Sequence, residues 1–468
     1  MRAIDELRGM YVSSPYWIKR VASPLLSIVP FGFLYGKTYS QASRMIGYSK
    51  DNPQFVAEYQ EKTLASIIEP CVNLNDYYQR IFEGVYDGGS DWKSNCVAGL
   101  KKLPILNKEE VRRNIDKYLV RPRSELDLVS TSGSSGQPLS FYLDRDRGPK
   151  EIAFIHQVWA QVGYRASKHR RAVLRGFSFP NVEEKPWEYD PALNELRLSA
   201  SQMLPETMKL YLELIKRYDI DFLHGYPSAI TLLSNFAISI NWEKPASLIG
   251  VFPISEALFD YQRVIILKAF PDIKILSFYG QSEKVAFAGE LADFPDIFEF
   301  EPLYGIVELV DDQGRPVLGK GERGRIVSTG LLTKGMPLFR YDTGDTAELV
   351  ELGSEDNCYR MRVRKIRSRR ALEYVVGYKG EKFYFTAILP HTRTFEKIQQ
   401  FQLYQEVPGE VTVKVVPYFG QTEKEIRAFV DEIQSKAGKM VKFSLETVKF
   451  LPPNPRGKRH CIEQKLIF

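Results

Sequence analysis

A run of hydroxyl and glycine residues between two apolar segments is the part of the sequence best suited to bind an anion. The run consists of Thr131, Ser132, Gly133, Ser134, Ser135 and Gly136. It separates the alternating segments Leu126–Ser130 and Leu139–Leu143, which predict two strands joined by a turn. Glycine lets backbone amides converge on a phosphate, and the hydroxyls add donors. The run therefore predicts a phosphate-binding loop, with a plain polar hairpin loop as the alternative.

Three later segments place charged and aromatic side chains in turns. Phe278–Glu283 reads Phe-Tyr-Gly-Gln-Ser-Glu and follows an apolar run. Arg340–Asp345 reads Arg-Tyr-Asp-Thr-Gly-Asp and follows a strand-like run. Gly457 and Lys458 lie in a basic, proline-containing stretch near the C-terminus. Each segment alone is compatible with an ordinary turn.

In this order and at these separations, the segments resemble the motifs of the adenylate-forming superfamily of acyl- and aryl-CoA synthetases and adenylation domains. Three more segments resemble the phenylacetate–CoA ligase-like branch, which includes capsular polysaccharide biosynthesis proteins. They are Leu103–Lys108, Gly225–Ser228 and Ile398–Gln402. The resemblance extends from about residue 100 to the end of the chain.

The resemblance implies that a carboxylate attacks the α-phosphate of ATP and expels pyrophosphate in the presence of Mg²⁺. The hydroxyl and glycine run would hold the β- and γ-phosphates, and Glu283 would bind the metal ion. Tyr279 would stack on adenine, and Asp345 would accept hydrogen bonds from the ribose hydroxyls. Lys458 would stabilise negative charge on the reacting phosphate. The other implied nucleotide contacts are Gly280, Gln281, Ser255, Glu256 and Arg370.

The chain departs from the family pattern at two positions. Gln137 stands where many relatives have a lysine after the last glycine of the loop, so one positive charge is missing there. Arg369 replaces the glycine before Arg370, which bears on the freedom of the hinge at the domain junction.

His224 and Tyr226 lie at the predicted carboxyl end of a strand, where ligand crevices form in α/β sheets. The resemblance implies that this is the acyl-substrate region, so they are the candidate substrate residues. A structural role for His224 is the alternative. Glu283 has the alternative of a surface residue that caps a helix. Ser255 and Glu256 have the alternative of a helix N-cap pair.

The composition is that of an ordinary globular protein with more than one domain. The chain has 468 residues, 44% hydrophobic residues and a net charge of +6, which is too mild for a dedicated nucleic-acid binder. Its four cysteines are scattered, which argues against a disulfide framework or a structural zinc site. We expect a reducing, ATP-containing cytoplasm and no nucleic-acid partner.

The N-terminal region contains no pattern for a transmembrane segment. Asp5 and Glu6 precede any apolar stretch, which is not typical of a signal peptide. The apolar segment 24–35 is shorter than the roughly 20 residues that a bilayer requires. Because Lys19 and Arg20 flank it, weak peripheral contact with a membrane surface is an open alternative.

The predicted fold class is α/β, with a large N-terminal α/β region and a small mobile α+β C-terminal domain. Residues 1–120 are mostly helical, for example 53–68 and 108–118. Residues 121–366 are predicted to be the α/β nucleotide- and substrate-binding core. Strands and helices alternate from Leu126 to Leu276, which favours a parallel sheet, and 304–329 is predicted to be an antiparallel, hairpin-rich section. Over 367–468 the pattern predicts strands at 411–415 and 442–451, and a helix that begins with a capping box at Thr422 and Glu425.

The resulting functional hypothesis is an AMP-forming acid ligase that uses a small-molecule carboxylate. The acyl acceptor would be CoA, a carrier thiol, or an amine or hydroxyl on a sugar, so CoA is a candidate co-substrate. An amide- or ester-forming ligase of surface polysaccharide biosynthesis is the first alternative. A non-catalytic nucleotide-binding scaffold is the second.

Overall fold

The structure is a computed structural model that describes most of the chain. It covers residues 35–84, 95–130, 139–177, 185–367, 374–384, 397–418, 420–453 and 460–466, together with the single residues 14, 18, 179 and 388. None of the helices in these ranges combines the length and the hydropathy needed to cross a bilayer.

The helices are named in chain order. They are α1 (Gly36–Tyr48), α2 (Pro53–Leu74), α3 (Asp76–Glu83), α4 (Cys96–Leu100), α5 (Lys108–Arg113), α6 (Arg147–Trp159), α7 (Pro205–Arg217), α8 (Pro227–Ser239), α9 (Asp260–Ala269) and α10 (Glu423–Ala437).

The strands are named in the same way. They are β1 (Leu126–Ser130), β2 (Ser140–Asp144), β3 (Arg171–Arg175), β4 (Trp187–Asp190), β5 (Glu195–Ser199), β6 (Phe222–Gly225), β7 (Gly250–Pro253), β8 (Lys274–Ile275), β9 (Phe278–Gly280), β10 (Phe287–Leu291), β11 (Phe294–Phe300), β12 (Gly305–Val310), β13 (Arg323–Gly330), β14 (Tyr341–Glu351), β15 (Arg362–Arg367), β16 (Tyr374–Val376), β17 (Lys382–Tyr384), β18 (Ile398–Val407), β19 (Glu410–Pro417), β20 (Lys442–Thr447) and β21 (Ile462–Gln464).

Two compact units divide the described residues. The first takes in 35–165 and 276–367, and the second takes in 166–275 and 374–466. The first unit contains α1–α6, the β1–β2 hairpin and a seven-stranded antiparallel sheet in the order β12-β13-β14-β15-β11-β10-β9. Side chains of α2, α3 and the segment before β14 form its core, including Leu64, Tyr78 and Phe339.

The second unit contains a six-stranded sheet in the order β4-β5-β3-β6-β7-β8. All neighbouring strands in it are parallel except β4 and β5. Apolar side chains of the sheet, such as Leu196 and Leu223, pack with Leu212 of α7 and Ile230 of α8. The predicted alternation of strands and helices around a parallel sheet is confirmed.

The second unit also contains an α+β segment, which the sequence pattern predicts closely. A four-stranded sheet, in the order β20-β19-β18-β21, packs its apolar face on α10. The capping box at Thr422 and Glu425 begins the helix, and Gly438 ends it with a φ of +64°. The predicted α/β fold class with a separate C-terminal α+β segment is confirmed.

Two elements end earlier than the sequence predicts. The helix predicted over 108–118 stops at Arg113, because Asn114 has a φ of −152°, and a short 3₁₀ turn follows. The strand predicted over 442–451 stops at Thr447, which is opposite Val415 in the register. Its partner strand ends at Pro417, which has no N–H to continue the ladder.

Candidate functional site

A hydrogen bond links two of the predicted nucleotide segments in the first unit. The hydroxyl of Tyr279, on β9, donates to Oδ2 of Asp345, on β14, at 2.7 Å. The side-chain amide of Gln281 donates to the same phenol oxygen, and its Oε1 accepts from the N–H of Ala286 at 3.3 Å. Three of the predicted nucleotide residues therefore form one hydrogen-bonded group.

Burial fixes the direction of this hydrogen bond. It raises the pKa of the Tyr279 phenol well above its ordinary value, and the negative charge of Asp345 raises it further. The phenol therefore stays protonated and donates to the carboxylate. An ionised carboxylate accepts about four hydrogen bonds, and the bond from Tyr279 is one of those that Asp345 accepts.

Glu283 lies in a buried environment close to the same strand. Its Oε1 accepts from the hydroxyl of Tyr341 at 3.0 Å and lies 3.6 Å from Nζ of Lys108. Burial and the adjacent Glu283 both raise the pKa of Tyr341, so that hydroxyl also remains a donor. The next residue, Lys284, has a φ of +59° and forms an ion pair with Glu151 at 2.6 Å. Glu283 and Lys284 are therefore adjacent in the chain but contact different partners.

The strand β14 also explains why Lys108 lies close to Glu283. Leu106 forms a parallel bridge with Tyr341, in which its N–H donates to the carbonyl of Arg340 at 3.0 Å. The N–H of Asp342 then donates to the carbonyl of Leu106 at 2.8 Å. Sequence analysis did not select Lys108 as a site residue. The signal available in the sequence was its position as the last residue of Leu103–Lys108, a segment that resembles the phenylacetate–CoA ligase-like branch.

The two aspartates of this loop have different partners. Asp342 forms an ion pair with Arg325 and accepts from the N–H of Gly344 at 2.8 Å, so it holds the loop. The N–H of Asp345 donates to Oγ1 of Thr343 at 3.1 Å. The positive charge of Arg325 therefore neutralises Asp342, and the carboxylate of Asp345 points to Tyr279 instead.

The predicted substrate residues lie in the second unit, at the carboxyl end of β6. Gly225 is required there by close packing, since a Cβ atom would lie 2.2 Å from the carbonyl oxygen of Leu174. Nδ1 of His224 lies 3.3 Å from Nη1 of Arg171, and Arg171 pairs with Glu195 at 2.5 Å. Because arginine only donates, Nδ1 is the acceptor and the proton of a neutral ring lies on Nε2. His224 therefore has a structural partner.

Ser255 and Glu256 lie in the same unit, after β7. Ser255 has a φ of +65°, which turns the chain. Oε2 of Glu256 accepts from the N–H of Ser228 at 3.1 Å, so this carboxylate satisfies a donor in the first turn of α8. Glu256 therefore has the capping role that was its alternative, although the helix that it caps is α8, which precedes Glu256 in the chain.

The remaining predicted residues lie outside the described ranges. They are Thr131, Ser132, Gly133, Ser134, Ser135, Gly136, Gln137, Arg369, Arg370, Gly457 and Lys458. The two strands predicted on either side of residues 131–136 are confirmed, and they pair from Leu126 with Asp144 to Ser130 with Ser140. In the part of the chain that is described, no three His, Cys, Asp or Glu side chains group together as a metal site.

Comparison with known proteins gives the same fold assignment as the motifs. Residues 382–465 match the family model of the CapK C-terminal domain. Protein CapK of Staphylococcus aureus is 25% identical over 376 residues, which cover 78% of this chain and 80% of that protein.

Two solved structures of ligases show the same fold. A 2-hydroxyisobutyryl-CoA ligase in the postadenylation state, in complex with an acyl-AMP, has a TM-score of 0.62 at 16% identity and covers 87% of this chain and 89% of its own. The GH3.15 acyl acid amido synthetase in complex with 2,4-DB has a TM-score of 0.58 at 14% identity and covers 88% and 90%. The chain therefore has the fold of these ligases, as its motifs predict, and it is similar to CapK over most of its length.

The hydroxyl of Tyr341 should stabilise the fold through Glu283. Tyr341→Phe should lower the free energy of unfolding by about 1.5–3 kcal/mol, the range for a hydrogen bond to a charged group. The control is Tyr304→Phe in the same unit. Both rings are fully buried, but the Tyr304 hydroxyl has no hydrogen-bond partner in the described ranges, so its removal should cost nothing. Urea unfolding measures both changes, and equal losses would contradict the assignment.

Proposed function

We propose that this chain, which has the fold of the adenylate-forming ligases, activates a carboxylic acid as an acyl-adenylate with ATP and Mg²⁺ and then transfers the acyl group to an acceptor. The observation that carries the proposal is the hydrogen bond between Tyr279 and Asp345, 66 residues apart. It joins an aromatic ring and a carboxylate from two segments that resemble nucleotide-binding motifs. Glu283 accepts a hydrogen bond from Tyr341, which lies on the same strand as Asp345 and four residues before it.

The Tyr279–Asp345 pair is suited to an adenosine. Asp345 would accept hydrogen bonds from both ribose hydroxyls, because an ionised carboxylate has about four acceptor sites. Because Asp345 and Gln281 hold the phenol oxygen, the Tyr279 ring has a fixed orientation. A fixed ring loses less conformational entropy when adenine stacks on it. We therefore assign Tyr279, Gly280 and Gln281 to the base and Asp345 to the ribose.

Glu283 is the proposed ligand of magnesium. It is a single buried carboxylate, and Mg²⁺ is commonly held by one or two carboxylates together with the phosphates of the substrate. The described residues fit this kind of site rather than an all-protein cage. When bound, the ion would neutralise the charge of the phosphates.

Lys108 is proposed to supply the positive charge that Gln137 does not. Its ammonium lies 3.6 Å from the carboxylate of Glu283, so it lies beside the proposed metal ligand. A lysine has a flexible stem and three rotatable donors, which suits contact with a phosphate oxygen. The role of a loop lysine would then be taken by a residue more than twenty positions earlier in the chain.

The other assignments follow from the motifs alone and complete the proposal. The loop 131–136 would hold the β- and γ-phosphates, Arg370 would contact the nucleotide, and Lys458 would stabilise the reacting α-phosphate. Ser255 and Glu256 would lie at the adenine edge. His224 and Tyr226 would lie in the acyl-substrate region. The acceptor is proposed to be CoA, and the fold of an acyl acid amido synthetase favours an amine or hydroxyl acceptor as the second candidate.

Magnesium-dependent ATP–pyrophosphate exchange tests the first half-reaction without knowledge of the acceptor. We expect the wild-type chain to move label from pyrophosphate into ATP with at least one acid from a panel of aryl, fatty, amino, hydroxy and dicarboxylic acids. Glu283→Gln should lower the rate about a hundredfold or more, because it removes the proposed metal ligand without a change of shape. Protein that binds ATP but exchanges nothing would instead be a non-catalytic nucleotide-binding scaffold.

The two aspartates of the β14 loop allow a matched test of ribose binding. Asp345→Asn should raise the KM for ATP roughly 10- to 100-fold with a smaller change in kcat, because ribose contacts are similar in the ground and transition states. Asp342→Asn removes the same charge but breaks the contact with Arg325, so it should lower stability and leave the KM near that of wild type. If both variants raised the KM equally, or if Asp345→Asn lowered only kcat, the assignment of Asp345 to the ribose would be wrong.

A further inference from the structure

The carboxyl ends of the parallel strands in the second unit meet at one edge of the sheet. In open α/β sheets this edge is where ligands bind. Arg175 ends β3, Ser199 ends β5, Gly225 ends β6 and Pro253 ends β7. This edge includes the proposed acyl-substrate residues His224 and Tyr226.

Hydrogen bonds between the strand ends hold this edge in place. The carbonyl of Arg175 accepts from the N–H of Ala200 at 2.7 Å and from the N–H of Phe177 at 2.8 Å. The N–H of Tyr226 donates to the carbonyl of Leu174 at 3.3 Å. The hydroxyl of Ser199 donates to the carbonyl of Phe177 at 3.1 Å. The backbone of Arg175 is therefore fixed by the strands on both sides.

The guanidinium of Arg175 packs on an aromatic ring. Its central carbon lies 5.9 Å from the centre of the Tyr226 ring, within the range of a cation–π contact. The Tyr226 ring is buried, and Arg175 is half-buried. The ring thus limits the positions of the guanidinium, which reduces the entropy lost when it binds a ligand.

The other two arginines of this sheet have carboxylate partners, whereas Arg175 has none among the residues that the structure describes. Arg171 pairs with Glu195 at 2.5 Å, and Arg197 pairs with Asp190 at 2.9 Å. Arg175 has no ion pair or hydrogen bond from its side chain to any residue in the described part of the protein. Arg175 therefore brings a half-buried guanidinium with five donors to the edge where a ligand would bind.

We propose that Arg175 binds a second anionic group on the carboxylic acid that the enzyme activates, so that the substrate is a dicarboxylic or phosphorylated acid. This inference rests on the proposed function and names its substrate class. The reacting carboxylate loses its charge when it bonds to the α-phosphate. A fixed arginine on that group would stabilise the ground state and slow the reaction. An anionic group that keeps its charge throughout is the better partner.

The neighbouring charges agree with this assignment. Glu256 follows β7 at the same edge of the sheet, but its carboxylate accepts from the N–H of Ser228, so it is held at the start of α8. His224 is held by Arg171 on the strand next to it. Among the charged residues of β3, β5 and β6, Arg175 is therefore the cation available to the ligand within the described ranges.

Matched pairs of acids in the exchange assay test the proposal. The pairs are butyrate and succinate, hexanoate and adipate, benzoate and terephthalate, and glycerate and 3-phosphoglycerate. We expect the best acid to carry two anionic groups. Arg175→Gln should lower its kcat/KM about 10- to 100-fold, as expected for a lost charged hydrogen bond, with less than a threefold change for its singly charged partner. Arg170→Gln is the control, because Arg170 is exposed and directly precedes the other end of β3.

Three results of the exchange assay would overturn the proposal. The best acid could carry one anionic group only, Arg175→Gln could lower the rates of both members of a pair equally, or it could leave both unchanged. Calorimetric titration of the same diacids without ATP separates this proposal from the proposed function. If a diacid binds to the wild-type protein but not to Arg175→Gln, the anion site is supported even when exchange fails with every acid. Absence of diacid binding and of diacid exchange rejects it.

Discussion

The buried guanidinium of Arg340 holds together the segments on which the candidate nucleotide site depends. Two of its N–H groups bind the carboxylate of Glu308 at 2.9 and 3.0 Å, and a third nitrogen donates to the carbonyls of Lys101 and Leu103 at 3.0 and 2.7 Å. Removal of one partner from such a buried pair typically costs about 3–5 kcal/mol. The contact fixes the chain before Lys108 against β14, which carries Asp345.

Charge pairing separates the side chains that hold the fold from those that are available to a ligand. Asp342 and Arg171 lie beside candidate site residues, but each is neutralised by a partner of opposite charge. Asp345 and Glu283 accept hydrogen bonds from tyrosine hydroxyls, and Glu283 also lies 3.6 Å from Nζ of Lys108. Within the described ranges, the guanidinium of Arg175 packs on the Tyr226 ring and has no carboxylate partner. Ligand binding would add partners to these charged groups, as is expected at functional sites.

Local patterns predicted most of the elements, whereas contacts between distant segments could not be predicted. The capping box at Thr422 follows from residues three positions apart, and the structure contains it. The contact of Lys108 with Glu283 depends on a bridge between Leu106 and Tyr341, 235 residues apart, which no local pattern specifies. The sequence also does not show that Arg171 and Arg197 have carboxylate partners while Arg175 has none in the described part of the chain, because these pairs depend on which strands are neighbours.

A crystal structure of the chain with a non-hydrolysable ATP analogue and Mg²⁺ tests the central claim most directly. The account predicts the ribose hydroxyls within hydrogen-bond distance of Asp345, the metal ion on Glu283 and a phosphate oxygen within reach of Lys108 Nζ. The distance of 3.6 Å between Lys108 and Glu283 should then lengthen, because each gains a new partner. A nucleotide bound away from Asp345 and Glu283 would contradict the account.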